Sequence, residues 1–444
     1  MKSKFKYLFL SLLSVSLAGC SMKSGDYYYA GAGAGRGGDG GYVDPGYYGD
    51  GGSATGAKSG AEAGSAPAMM GDEGDKDGES GDVTSEAPET PKSSRYVLPA
   101  GQLTCSALDD NNAYDYWKEI TSRGQEGQGA LYQYRSIAGN NFYSYNRVKL
   151  TVNNANDVYI TLKDDNKTFH VDNFHNAYLF PKQAKESYQV NISYLDKDNN
   201  RQNVEKTVKD NDVIDLENEY TTASNLEVMF VIDATGSMGD EMRYIKSEID
   251  DVIGKVKEDN PTSKVSLAMM VYRDTKDEYV TRYSDFTEDI ASQKAFLSKQ
   301  SASGGGDFEE AVDTALDEAV NKQWSSRGTK LIFHVADAPA HDKDLDKWSK
   351  AVDTAAEKGI NIISVAASGI DKKTEFYFRS QSIITGGQYV FLTDDSGIGN
   401  SHEVPTIKDK LVVEYLNDCL IRLIDGYHSG DMKEPVPYNQ VYKQ

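Results

Sequence analysis

Only three cysteines and six histidines occur in 444 residues, and neither a His-Glu-x-x-His nor a Gly-x-Ser-x-Gly stretch is present. A zinc centre wants His or Cys ligands and a serine hydrolase wants a nucleophile elbow, so the scarcity argues against a metal-using hydrolase. Basic residues are also short: 47 Lys and Arg face 69 Asp and Glu, for a formal charge of −22 and a pI near 4.7. That excludes nucleic acid as a partner class, because phosphate binding needs a basic footprint. Beyond the first 20 residues no segment reaches the roughly 18 uninterrupted apolar residues of a membrane helix.

What is present begins with a leader. MKSKFKYLFLSLLSVSLAGC places three lysines before an apolar run and then small residues, the layout of a secretory signal. Its end, Leu17-Ala18-Gly19-Cys20, resembles a bacterial lipobox. The resemblance implies loss of residues 1–19, acylation of Cys20 and a lipid anchor in the cell envelope. Ser21, not Asp, follows, which in that pattern favours the outer membrane. Residues 20–95 are Gly-, Tyr- and acid-rich, and 19 of the 40 glycines fall between Ser21 and Ser94. Such a composition cannot bury a core and reads as a disordered tether spanning about 45–50 Å. Outside the cytoplasm the two remaining cysteines, Cys105 and Cys419, are a candidate disulfide.

Residues 96–222 have a different texture. LDDNNAYDYWKEI predicts a short helix after an Asp/Asn cap. Val148-Leu150-Val152, Val158-Ile160-Leu162, Tyr178-Phe180 and Tyr188-Val190-Ile192-Tyr194 alternate with polar residues between turn pairs, which predicts a small β-sandwich. VYITLKDDNKTFHVDNFHNAYLFP resembles the immunoglobulin-like or carboxypeptidase-regulatory-like modules of bacterial surface proteins. His170 and His175 read as strand-surface residues.

Residues 223–428 alternate strands with helices, ahead of a tail over 429–444. LEVMFVID, KVSLAMMVYRD, EYVTRYSDF, KLIFHVAD, INIISVAAS and QYVFLTD are strand candidates, several of them continuous apolar runs as expected for strands covered on both faces. Met242, Ile245, Ile249, Val252, Ile253 and Val256 share a helical face, and a final helix is predicted from Ile407 through Leu411, Tyr415 and Cys419 to Leu423. This order predicts a doubly wound, mostly parallel α/β sheet that collects ligands at the carboxyl ends of its strands. With Cys419 about 15 residues into that last helix, the disulfide is expected at the opposite pole.

VMFVIDATGSMGDEM ends a buried strand on an acid and two hydroxyls, Asp233, Thr235 and Ser237. Caps and turns use the same residue types, but two further loops at that edge carry Asp307, in SGGGDFEEAVD, and Asp337, in DAPAHD. Carboxylates and hydroxyls without a soft donor suit a hard cation, Mg²⁺ or else Mn²⁺ or Ca²⁺. His334 reads as packed within its strand and His341 as a solvated loop residue. The set resembles the metal-ion-dependent adhesion site of von Willebrand factor type A domains, with Thr235 at the middle position of Asp-x-Ser-x-Ser and Phe-Glu where the GGGD-x-P-E variant has Pro-Glu. The resemblance implies a non-enzymatic module in which an acidic residue of a protein partner completes the coordination of the ion. Three acids binding directly would over-neutralise a divalent ion, which implies that some act through water. The competing class is an envelope scaffold or assembly factor whose metal only holds loops together.

Overall fold

The computed structural model describes residues 99–124, 127–137, 143–154, 156–216, 224–239, 241–399, 401–402 and 404–439. The leader, Cys20 and the tether lie outside the described residues. Glu89–Gln444 forms one compact unit.

Its first elements are β1 (Thr104–Leu108), α1 (Tyr114–Thr121), a ribbon of β2 (Arg123–Gly124) with β3 (Gly127–Gln128), and α2 (Tyr132–Ile137). Tyr114, Trp117 and Ile120 give α1 one buried face, and Trp117 Nε1 donates to the Ser144 carbonyl at 3.0 Å. Next come β4 (Val148–Asn153), β5 (Asn156–Leu162), β6 (Lys167–His170), β7 (Asn176–Leu179), β8 (Tyr188–Leu195), β9 (Arg201–Val208) and β10 (Asp212–Asp215). They form two sheets, in the orders β10-β4-β7 and β6-β5-β8-β9. Alternate residues Val148, Leu150, Val152, Val158, Ile160, Leu162, Val190 and Ile192 are buried, so the period-2 pattern is the pleat of a packed sandwich.

The remaining elements are β11 (Asn225–Asp233), α3 (Met242–Asp259), β12 (Lys264–Tyr272), β13 (Thr281–Thr287), α4 (Ile290–Ser298), α5 (Val312–Val320), β14 (Thr329–Ala336), α6 (Leu345–Lys358), β15 (Ile360–Ala366), α7 (Lys372–Thr385), β16 (Tyr389–Leu392), β17 (Glu414–Tyr415) and α8 (Leu416–Ser429). The large sheet runs β13-β12-β11-β14-β15-β16-β1-β17, and β12, β11, β14, β15 and β16 are parallel. It is therefore a mixed, mostly parallel sheet within an α/β fold. Every residue of β14 is buried, because helices cover both faces and polar alternation has no solvent to face. One face packs on α3 and α8 through Ile245, Ile249, Val252, Leu420 and Leu423. The other packs on α5, α6 and α7, in a core continuous with that of the sandwich.

Three expectations need correction. β1, grouped on sequence with the sandwich, pairs antiparallel with β16 and β17 inside the large sheet. An uncovered β16 edge would leave its peptide groups unpaired, and β1 supplies the partner. The final helix starts at Leu416 rather than Ile407, because Glu414–Tyr415 instead extends beside β1 and Leu416 N donates to the Leu103 carbonyl at 2.9 Å. Residues before it are held by tertiary contacts: the buried Arg379 donates to the Thr406 carbonyl at 2.7 Å while pairing with Asp110 and Glu375. The cysteines also differ from expectation. Cys105 lies opposite Leu392, at the carboxyl end of β16, and Cys419 lies in the first turn of α8, so the pair is at the pole nearer the carboxyl edge. Both are buried free thiols; burial and the neighbouring Cys419 thiol push Cys105 well above its ordinary value.

Candidate metal centre

Three buried parallel strands end near an acid: β11 on Asp233, β12 two residues before Asp274, and β14 immediately before Asp337. The apolar register that buries the strands stops at one level, so their following residues share the carboxyl edge. Asp233 Oδ1 accepts the Thr235 N–H at 2.8 Å and its hydroxyl at 2.7 Å, and the Thr235 hydroxyl lies 3.2 Å from that of Ser237. This local turn aims both hydroxyls to one side. Asp233 and Thr235 are buried, whereas Ser237 is exposed.

The glycine loop is tied to that turn by its backbone. Gly236 N donates to the Gly304 carbonyl at 3.1 Å, and Ser303 N donates to that of Ala234 at 2.9 Å. The Arg273 guanidinium reaches the Ala234 and Ser301 carbonyls at 3.1 and 2.9 Å. Gly304 and Gly305 hold φ of +87° and +79°, where a side chain is strained. A Cβ on Gly305 would also stand 2.9 Å from Glu310 Oε1, so glycine here leaves room for that carboxylate beside Thr235. Glu310 N donates to the Pro339 carbonyl at 3.0 Å, which joins the glycine loop to the loop after β14. Lys373 of α7 clamps the same two loops, reaching Glu309 and Asp342 at 2.8 Å each. Glu309 thus holds its loop by an ion pair.

The structure brings Asp233, Thr235 and Ser237 together, with Asp337 close enough to act on the Asp233 charge. Burial, then Asp337, pushes the Asp233 carboxyl up to about 7. The third acid of this cluster is Glu310. Burial, reinforced by Asp233, Asp274, Asp277 and Asp337, pushes it up to about 9. Asp307 is exposed, and its carboxylate falls with Asp274 and His341, their ligand atoms all lying within 4.8 Å of one another. The turn through Gly304-Gly305-Gly306 presents Asp307 outward and returns Glu310 inward. His341 is not a solvated loop residue, since its Nε2 lies 2.8 Å from the buried Asp274 Oδ1. His334 is packed, between the Tyr272 hydroxyl and the Gln381 amide at 2.9 Å each, and burial lowers it to about 3.

Glu310, Asp274 and His341 escaped the sequence reading as site residues. For Glu310 the signal was the last acid of GGGDFEE, and for Asp274 it was an acid closing VYRD just as Asp233 closes VMFVID. Glu310 Oε2 is buried without a hydrogen-bond partner among the described residues, and the Asp233 carboxylate has the Tyr272 hydroxyl beside it. Buried carboxylate oxygens left unsatisfied are costly, and a divalent cation removes both the lost hydration and the mutual repulsion. Oxygen donors alone in this first cluster fit a hard ion.

Comparison with known proteins gives the same reading of the domain. The family model described as von Willebrand factor A domain matches residues 227–397. The alpha-protein kinase vwkA of Dictyostelium discoideum is 26% identical over 192 residues, 43% of this chain and 31% of that protein. An ariadne-like RING finger protein of Acanthamoeba polyphaga mimivirus is 26% identical over 185 residues, 38% of this chain and 18% of that protein. The chain thus spans a third or less of the length of these two relatives. Among solved structures, the conserved hypothetical protein BatB of Bacteroides thetaiotaomicron matches with TM-score 0.30 and 18% identity, over 37% of this chain and 89% of that one. An aerotolerance-related membrane protein of Bacteroides fragilis matches with TM-score 0.26 and 16% identity, over 49% and 94%. Among the described residues no helix is long and apolar enough to cross a membrane. Residues 227–397 therefore resemble a von Willebrand factor A domain in sequence, and the mostly parallel sheet they build is consistent with that fold.

Proposed function

We propose that this chain is a non-enzymatic, lipid-anchored protein of a bacterial cell envelope whose von Willebrand factor A domain binds a protein partner through a divalent cation. The observation that supports the reading is the turn of Asp233, Thr235 and Ser237, with Asp337 and Glu310 near enough to act on its charge and the buried Glu310 Oε2 left without a hydrogen-bond partner among the described residues. Asp233, Thr235, Ser237, Glu310 and Asp337 are the residues that would hold the ion. Mg²⁺ is the fitting choice for an all-oxygen set, with Mn²⁺ or Ca²⁺ as substitutes. When bound, the ion supplies a Lewis-acidic position at which an acidic side chain of the partner completes the coordination.

Ser237 is exposed and Phe308, 41% exposed, stands on the neighbouring loop, so the rim of the cluster is open to a macromolecule. The anchor part of the proposal rests on Leu17-Ala18-Gly19-Cys20. In an oxidising envelope the adjacent Cys105 and Cys419 thiols would close the bond expected from the sequence, which non-reducing peptide mapping reads directly. The test of function is capture from the native envelope in Mg²⁺ and in EDTA, with wild type and Asp233→Ala. A partner retained only by wild type in Mg²⁺ is the expected result. Retention unchanged by both chelation and substitution would instead mean that the loops, not an ion, make the interface.

A further inference from the structure

We propose that Gln381, His334 and Tyr272 form a one-way chain of hydrogen bonds that ends on Asp233, and that these three buried side chains are positioning residues of the metal site. The inference rests on the proposed function of that site. The pleat of the large sheet builds the chain. β11 lies between β12 and β14, with Asp233 opposite Tyr272 and Val231 opposite His334. Residues two apart share a face, so Asp233, Tyr272 and His334 project to the side of Val231 and Ile332, toward α5, α6 and α7. The Tyr272 hydroxyl spans β11 and meets His334 Nε2 at 2.9 Å. A histidine buried inside KLIFHVAD is costly unless both ring nitrogens are paired, and here both are.

Each bond has one possible direction. Trp348 Nε1 can only donate, and it reaches Gln381 Oε1 at 3.1 Å. The Gln381 amide nitrogen is thereby turned to His334 Nδ1 at 2.9 Å and to Ser364 Oγ at 2.8 Å. Ser364 fixes the same orientation, because its own proton goes to the Phe378 carbonyl at 2.9 Å and its oxygen is left to accept. His334 Nδ1 therefore accepts. Burial lowers the imidazole to about 3 and so keeps it neutral, which puts its proton on Nε2. Nε2 donates to the Tyr272 oxygen, and the phenol proton is left for the Asp233 carboxylate beside it. Thr235 holds that carboxylate from the loop side through its N–H and hydroxyl. Held from loop and sheet together, Asp233 keeps one orientation toward the ion, and outer partners of this kind are worth about 10- to 100-fold in metal affinity.

The experiment uses the full chain, isotope-labelled at the histidine nitrogens and read by NMR without metal and then in saturating Mg²⁺, with His334→Gln identifying the His334 resonances. His334 is expected to be neutral with its proton on Nε2, and Mg²⁺ should shift that N–H although the ion touches neither ring nitrogen. A proton on Nδ1 would overturn the chain, and an N–H unmoved by bound Mg²⁺ would overturn its link to the site. Calorimetry then compares Mg²⁺ affinities. Tyr272→Phe should weaken binding by about tenfold or more, and Ile192→Ala, a core change in the sandwich, should not, which separates loss of the donor from loss of stability. Circular dichroism melts confirm that each variant is folded. Equal affinity in wild type and Tyr272→Phe would overturn this inference while leaving the proposed function standing; no Mg²⁺ bound by wild type would end both.

Discussion

The β-sandwich and the carboxyl edge of the large sheet are both strand ends rich in Asp, yet the acids serve opposite ends. In the sandwich three turn acids are spent on the backbone: Asp172 accepts from Asn176 N at 2.8 Å, Asp196 from Asp198 N and Asn200 N at 2.9 Å each, and Asp210 from Lys149 N at 2.8 Å. At the edge of the large sheet the acids face one another, and the buried Glu310 Oε2 has no donor among the described residues. An acid that caps a turn stabilises the fold it sits in. A cluster of acids turned inward on itself costs stability until a cation arrives, which is the physical difference between a structural and a binding carboxylate.

The sharpest way to separate the two regions is to damage each alone. Ile192→Ala, in the sandwich core, should cost about 2–5 kcal/mol while leaving the melting shift on adding Mg²⁺ unchanged. A lost Mg²⁺ response in that variant would show that the sandwich shapes the site. Asp233→Ala should do the reverse. Wild type should gain about 2.7 kcal/mol when Mg²⁺ is at a hundred times its dissociation constant, and the variant nothing. Glu310→Gln should additionally raise the melting temperature in EDTA at about pH 10, where the wild-type carboxyl has lost its proton and a neutral amide ends the repulsion; a lower value there would mean that Glu310 is a structural acid.

The comparison also predicts a pH signature. Asp233 and Glu310 are carried up to about 7 and about 9 in the fold, above their unfolded values near 4, so the folded state holds protons that the unfolded state has released. Stability from these groups is complete below about pH 4 and is lost as pH rises through about 7 and then about 9. Urea midpoints of the metal-free protein at pH 5, 7 and 9 should therefore fall, and saturating Mg²⁺ should flatten the decline; parallel curves with and without the ion would separate these acids from the metal. The smallest effect is expected of Lys373→Met, which frees Glu309 and Asp342 in a partly solvated clamp. It should cost about 1 kcal/mol or less in stability and weaken Mg²⁺ binding by loosening two loops, as calorimetry would read.

Much of this architecture can be read from local pattern. Alternation at Val148-Leu150-Val152 marks a half-buried strand because side chains alternate faces, and the unbroken run in VMFVID marks a strand covered on both sides. The face Ile245-Ile249-Val252-Val256 marks α3 for the same kind of reason, a helical period repeated in one chain segment. Asp233, Thr235 and Ser237 were legible because all three contacts that assemble them span only two residues.

What sequence by itself determined, then, was each element whose partners lie within its own period: the strands, the helices and the first turn of the site. Tertiary structure alone decided the rest. It placed β1 in the large sheet, since a strand's partner is chosen by which edge stands open and not by its neighbours in the chain. It cut the last helix short at Leu416, because pairing with β1 satisfies Glu414–Tyr415 as an extended segment. It brought Glu310 near Asp233, because glycines at φ of +87° and +79° set the direction of a loop whose neighbouring acids look alike in sequence. And it brought Asp274 to His341 across 67 positions, a separation over which a linear pattern carries no information about distance.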